Sequence, residues 1–219
     1  MHLLTNRKSP FIIIALFIVL GVGLYLNTMN APFQFDDRDF ITQSENIKDI
    51  TDMPAIWNAL GHPSRFVTFV SFALNYHFNQ YRPFGYHVVN VALHILNTLL
   101  VWIFIQLLYK TQPQEKDKTK GRLIALVVAL VFLAHPLQTQ AVSYITQRFA
   151  SLATLFYLLT LCLYIKGRLK NNNIGLFTLT IITMLIGMFT KQIAFTMPFI
   201  IILTEYVFLR KKSSDSNTT

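Results

Sequence analysis

The chain has 219 residues, 53% hydrophobic and 13% charged, with 19 basic against 10 acidic side chains. Soluble domains carry about 25% charged residues, so the composition excludes an ordinary soluble enzyme and points to an integral membrane protein. The single cysteine, Cys162, excludes an intrachain disulfide and a cysteine-based metal cluster.

A spanning helix takes about 20 largely apolar residues. The first apolar run, 10–26, follows Arg7 and Lys8. No small-x-small cleavage site follows it, so it reads as a retained anchor. Further runs cover 85–109, 123–134, 149–165, 174–190 and 193–209. The fold class expected is therefore an all-α, polytopic membrane helix bundle of about six spans. The domain reading is a cytoplasmic N-terminus over 1–9, one transmembrane module over 10–209 and a cytoplasmic tail over 210–219. Its first outer loop runs over 28–84.

With the N-terminus inside, thirteen of the basic residues fall on inner segments and six on outer ones. The inner set is Arg7, Lys8, Lys110, Lys116, Lys118, Lys120, Arg122, Lys166, Arg168, Lys170, Arg210, Lys211 and Lys212. That distribution satisfies the positive-inside rule. The net charge of +9 then reports topology, and no nucleic-acid partner is expected.

The first outer loop holds six of the ten acidic residues. It opens with FQFDDRDFITQSEN (33–46), which places Asp36, Asp37 and Asp39 within ten residues or so of the first span. Adjacent carboxylates beside a membrane suit three tasks. They hold a divalent cation, they act as a general base and its positioning neighbour, or they anchor an arginine. A solvated turn capped by aspartate is the plainer explanation.

Further along the loop, DMPAIWNAL reads as a short helix capped by Asp52, with Pro54 in its first turn. SRFVTFVSFALNYHFN then places Arg65, Thr68, Asn75 and Asn79 on one helical side, and Phe66, Val70, Ala73 and His77 on another. Such a helix is expected to lie in the membrane interface plane.

In the second span, GYHVVNVALHILN, the polar residues His87, Asn90, His94 and Asn97 are spaced 3, 4 and 3 apart. At about 100° per residue they form one stripe, which lipid would leave unsatisfied. Interhelical hydrogen bonding accounts for Asn90 and Asn97 as readily as a site does. His87, the one nearest the aspartates, is weighed toward a site role. AHPLQTQAVSYITQR (134–148) then forms a polar outer turn carrying His135 and ending at Arg148. Its guanidinium suits a phosphate or simple snorkelling. Lys191, in the TKQ turn (190–192), is a further outer cation.

These segments, taken in order, resemble the N-terminal membrane half of the transmembrane O-mannosyltransferases that carry tetratricopeptide repeats, and their bacterial relatives, in the C-type integral-membrane glycosyltransferase superfamily. The resemblance rests on Asp36-Asp37 after the first span, SRFVTFVSFALNY, PFGYHVVNVALHILN, LAHPLQTQAVSYITQRFASLATLFYLLTLCLY and FTKQIAFTMPFIIILTEY. It covers about 11–208. It implies a polyprenyl-phosphate-linked sugar as donor, an acceptor hydroxyl on a protein or glycan, and membrane lipids as surroundings. It also implies Asp36 and Asp37 as the catalytic pair. Arg65, His87, Asn90, His94, His135, Arg148 and Lys191 are then expected to bind the substrate. A divalent cation at Asp36/Asp37 is left open.

Two departures stand out. Gln140 and Gln192 occupy positions where the family has glutamate. An amide keeps shape and hydrogen bonding but is neither a base nor a metal ligand of matching charge. The chain also ends without tetratricopeptide repeats. A non-catalytic paralogue that binds the donor or a partner membrane protein is therefore the rival expectation, and a second chain completing the module is another. Short loops and the lack of sorting motifs suggest a bacterial inner membrane.

Overall fold

The computed structural model describes residues 9–59, 63–112 and 117–209. The expected cytoplasmic end segments, with Arg7, Lys8, Arg210, Lys211 and Lys212, lie outside the described residues except for Ser9. Lys116 lies outside them too. Among the described residues every regular element is helical, as the apolar runs imply.

Helix α1 (Ser9–Tyr25) carries Pro10 in its first turn, where a missing N–H costs nothing. It is apolar on all sides, as a lipid-facing helix must be. Only a narrow stripe, including Ile13, Phe17 and Tyr25, is buried against its neighbours. The loop after it contains α2 (Met53–Trp57) and α3 (Phe66–Asn79). Asp52 caps α2 by accepting the Ala55 N–H at 3.0 Å, and Pro54 stands in the first turn. Chain reversal after α3 passes through Gln80, whose φ of 49° lies in the left-handed region.

Helix α4 (Pro83–Thr111) is the longest element and the centre of the bundle. It packs against α1, α5 (Lys118–Ala134) and α7 (Arg148–Leu169). The contact face of α5 carries Gly121, Ala125, Ala129 and Leu133 at four-residue spacing, all buried. Small residues at that spacing let two helices approach closely. A side chain at Gly121 would run into the Tyr109 ring of α4.

Short helix α6 (Gln138–Ser143) leads into α7, which pairs with α8 (Ile174–Met188). Their hairpin turns on Asn171 and Asn172, at φ of 52° and 57°, a conformation asparagine tolerates better than most residues. Asn173 then caps α8 by accepting the Leu176 N–H at 3.1 Å. The final apolar stretch, Gln192–Leu209, contains α9 (Met197–Thr204).

Four of these elements are long and apolar enough to cross a membrane: Pro10–Thr28, Pro83–Thr111, Ile145–Leu169 and Gln192–Leu209. Helices α5 and α8, with 17 and 15 residues, reach only about 26 and 23 Å at 1.5 Å per residue. That falls short of a hydrocarbon core of about 30 Å. They match the third and fifth apolar runs but are the two weaker candidates among the six.

The loop between α1 and α4 has a core of its own. Ile41, Ile47, Ile56, Phe69 and Phe72 cluster with Tyr86 of α4, with Ile145 just before α7 and with Phe149 in its first turn. This core seats the loop on one end of the bundle, and it changes the reading of α3. Thr68 and Asn75, on the side read from the sequence as the polar one of an interface-lying helix, turn into the protein. The Thr68 hydroxyl donates to Thr190 O at 3.2 Å, and the Val67 N–H donates to Phe189 O at 3.0 Å. Leu74 and Phe78 are left exposed instead.

Candidate functional site

At the loop end of the bundle, four segments distant in sequence meet around a polar cleft of about 100 Å³, lined by Asp36, Phe40, Arg65, Thr146, Gln147, Phe149 and Lys191. The joints described above bring them together. Docking of α3 on residues 189–190 sets Arg65 beside Lys191. The Gln192 amide reinforces this by donating to the Ser64 hydroxyl at 3.1 Å.

Asp36 and Asp37 point in opposite directions. Asp37 is 1% exposed. Its Oδ1 accepts the Thr146 N–H at 2.8 Å and its Oδ2 accepts the Gln34 N–H at 3.0 Å. Burial, the largest influence, raises its pKa above the ordinary carboxylate value. The two N–H donors, the buried Thr146 hydroxyl and nearby His87 oppose that rise. Asp37 thus ties the loop to the start of α7. Asp36 is exposed and lines the cleft. Its backbone N–H donates to the Tyr144 hydroxyl at 3.0 Å. The residue between the two chain directions, Phe35, sits at φ 44° with its ring exposed and packed edge-on against Tyr144.

Arg65 lies with its guanidinium 4.7 Å from the centroid of the Phe149 ring and 5.9 Å from that of Phe40. Aromatic faces hold a cation favourably, but they satisfy no N–H. The Arg65 Nε is buried without a hydrogen-bond partner among the described residues. Among the described residues the ion pairs within 4.0 Å are Lys48–Glu45 and Arg168–Glu205. Arg65 and Lys191 therefore keep their charge for the cleft.

The remaining sequence candidates lie elsewhere. Arg148 is 0% exposed. Its Nε–H donates to Asn90 Oδ1 at 2.8 Å, and its two terminal nitrogens donate to Asn75 Oδ1, Tyr86 O and Ser71 O at 2.8, 3.0 and 3.3 Å. The rings of Phe72 and Tyr86 flank it. A guanidinium so enclosed does not present itself to a phosphate at the surface, so the expected substrate contact of Arg148 does not fit its placement.

The aligned stripe of α4 is likewise turned to backbone carbonyls. His87 Nε2 meets Ala31 O at 3.0 Å, and His94 Nε2 meets Leu133 O at 3.0 Å. Asn90 Nδ2 donates to Ile145 O at 3.1 Å and Asn97 Nδ2 to Ser151 O at 3.0 Å. His94 is further enclosed by the Tyr25 and Phe132 rings. His135 is exposed on the turn after α5, where its Nδ1 accepts the Leu137 N–H at 3.2 Å. Gln140 is exposed on α6 and lines no part of the cleft.

Among the described residues no three histidine, cysteine, aspartate or glutamate side chains gather as a metal-ligand set. Asp36 faces two cations, and Asp37 spends both oxygens on backbone donors. That arrangement does not fit a divalent ion shared between the two carboxylates, which needs several oxygen ligands turned to one point.

Sequence reasoning missed the residues that build the cleft wall. Thr146, Gln147 and Phe149 act through position rather than charge. The one available signal was the polar stretch YITQR beside an aromatic. Phe40 had none beyond residue type.

No family model and no solved structure matches the chain. Curated proteins do. It is similar to Protein O-mannosyl-transferase Tmtc1 of Drosophila melanogaster, 30% identical over 188 residues, which is 81% of this chain and 21% of that protein. It is also similar to Protein O-mannosyl-transferase TMTC2 of Homo sapiens, 34% identical over 158 residues, 67% of this chain and 18% of the relative. Protein O-mannosyl-transferase TMTC4 of Homo sapiens matches at 28% over 171 residues, 71% and 23%. The chain spans about a fifth of the length of these relatives. They are animal proteins and lend the expected bacterial inner membrane no support. The chain is an integral membrane protein belonging to the family of these protein O-mannosyl-transferases.

Proposed function

We propose that the chain is the donor-handling part of a membrane glycosyltransferase that moves a sugar from a polyprenyl-phosphate donor to an acceptor hydroxyl at the loop end of the bundle. One observation carries this reading. A carboxylate and two cations without ion-pair partners among the described residues, Asp36, Arg65 and Lys191, line a single polar cleft. The family's members carry O-mannosyl-transferase in their names, which supports sugar transfer to a protein hydroxyl.

In this reading Asp36 takes the proton of the acceptor hydroxyl as its oxygen bonds to the sugar's anomeric carbon. The bond from that carbon to the phosphate oxygen breaks, and the electron pair leaves with the phosphate. Arg65 and Lys191 balance the charge that develops there. The Arg65 Nε–H, otherwise buried without a partner, gains an acceptor. Asp37 positions the loop and does not take part in proton transfer. The excess of basic residues on the opposite segments supports a cytoplasmic N-terminus and a cleft on the other side of the membrane.

The test is binding of a polyprenyl-phosphate sugar to purified protein, with release of polyprenyl phosphate followed in parallel. Arg65→Ala and Lys191→Ala should weaken binding. Asp36→Asn should bind and fail to release. A second reading has its own support: among the described residues Asp36 is the only carboxylate lining the cleft, and Gln192 spends its amide on Ser64. A wild type that binds the donor without releasing product would establish that reading, a donor-binding module without turnover. No binding by wild type would refute both.

A further inference from the structure

Arg148 has no carboxylate within its hydrogen-bond set, although it is fully buried. Neutral oxygens satisfy it: two asparagine side chains and two backbone carbonyls. The Asp37 carboxylate favours the guanidinium's charge through space and not through a hydrogen bond. A buried cation whose hydrogen bonds all go to neutral groups is costly, so its placement calls for a return elsewhere. Its partners belong to different elements. Asn75 and Ser71 are on α3, and Asn90 and Tyr86 are on α4, while Arg148 opens α7. Its neighbours in sequence are the residues that shape the cleft. Thr146 holds Asp37 by its N–H, Gln147 lines the cleft, and Phe149 lies under the Arg65 guanidinium.

We propose that Arg148 is a positioning residue that fixes the first turn of α7 against α3, and so sets Arg65 and Asp36 at their places in the cleft. This rests on the reading of the cleft as a phosphate-lipid site. The planar fork does what a single ammonium cannot, because from α7 its donors reach two other helices, α3 and α4, at once. When the fork is lost, α3 and the start of α7 are free to shift. Arg65 and the Asp37 anchor lie on opposite sides of that joint. A displacement of about 1 Å is enough to disable an ordered site.

The test uses the whole chain in detergent with a reporter thiol, Gln147→Cys. The native Cys162 is buried. Labelling rates are compared for a sulfonate-bearing methanethiosulfonate and its trimethylammonium counterpart, and their ratio reads the positive potential in the cleft. Arg148→Lys keeps the charge and removes the fork. The expected result is a folded Arg148→Lys protein whose preference for the anionic reagent falls about threefold or more, with binding of polyprenyl phosphate about tenfold weaker. Both quantities unchanged in folded Arg148→Lys would overturn the proposal. Should that variant fail to fold, Asn75→Ala removes only the α3 side of the clamp. A smaller drop in the same ratio is then expected, and an unchanged ratio overturns the proposal. The thiol ratio needs no lipid binding, so a wild type that ignores polyprenyl phosphate would refute the functional reading alone.

Discussion

Replacing Asn90 by alanine removes the centre of the buried network. Three contacts go at once. Arg148 loses the acceptor of its Nε–H at 2.8 Å, and the carbonyls of Ile145 and Val142 lose a donor at 3.1 and 3.4 Å. A hydrogen bond to a charged group contributes about 1.5–3 kcal/mol, and a stranded buried acceptor costs about 1–3 kcal/mol. Within membranes the net worth of a side-chain bond is smaller, about 0.6 kcal/mol on average, because the unfolded chain finds partners there too. The 3.4 Å contact is too long to weigh much. The charged bond therefore dominates, and the expected loss for Asn90→Ala is about 2–4 kcal/mol. Asn90→Asp sharpens the test. It supplies Arg148 with a countercharge but has no N–H for the two carbonyls, so it too is expected to be destabilised. Thermal unfolding in detergent, followed by tryptophan fluorescence and checked by circular dichroism, measures both. Asn90→Ala within about 0.5 kcal/mol of wild type, the range of an ordinary surface change, would refute the network as an organiser of the bundle.

The pH dependence follows from Asp37. Its folded pKa is raised above the ordinary 3.8, chiefly by burial. The folded state therefore binds the proton more tightly than the unfolded state. The stability from this group is complete below that ordinary value and is lost as pH rises through the folded pKa. Asp37→Asn should flatten this slope, and melting temperatures of both proteins across acidic to neutral pH would decide it. Equal slopes would contradict the buried placement. Gly121→Val should push α5 from α4, because the added carbons meet the Tyr109 ring. A loss of about 1–3 kcal/mol is expected from overpacking, and unchanged stability would refute the close helix contact. Asp36→Asn, at an exposed position, should leave the melting temperature within about a degree or two of wild type. A large drop would show that Asp36, like Asp37, has a structural role.

Much of the helical plan was legible because apolar length and spacing act locally. The α2 cap at Asp52, with Pro54 in the first turn, follows from neighbouring residues and was read from them. The stripe His87, Asn90, His94 and Asn97 was legible as a stripe, since the helical repeat alone aligns it. What the stripe meets was not. Its partners are carbonyls of Ala31, Ile145, Leu133 and Ser151, which lie 39 to 56 residues away along the chain.

By itself the sequence determined that this is a membrane helix bundle with an acidic loop at one end, because apolar run length and charge placement are properties of the chain. Tertiary structure decided which charges serve the cleft. Asp36 and Asp37 are neighbours with the same chemistry, yet backbone donors from Thr146 and Gln34 capture one and leave the other facing Arg65 and Lys191. Arg148 and Arg65 look alike in sequence, yet only one finds four acceptors around it. A side chain's task depends on which groups folding brings within about 3 Å, and no local pattern encodes that.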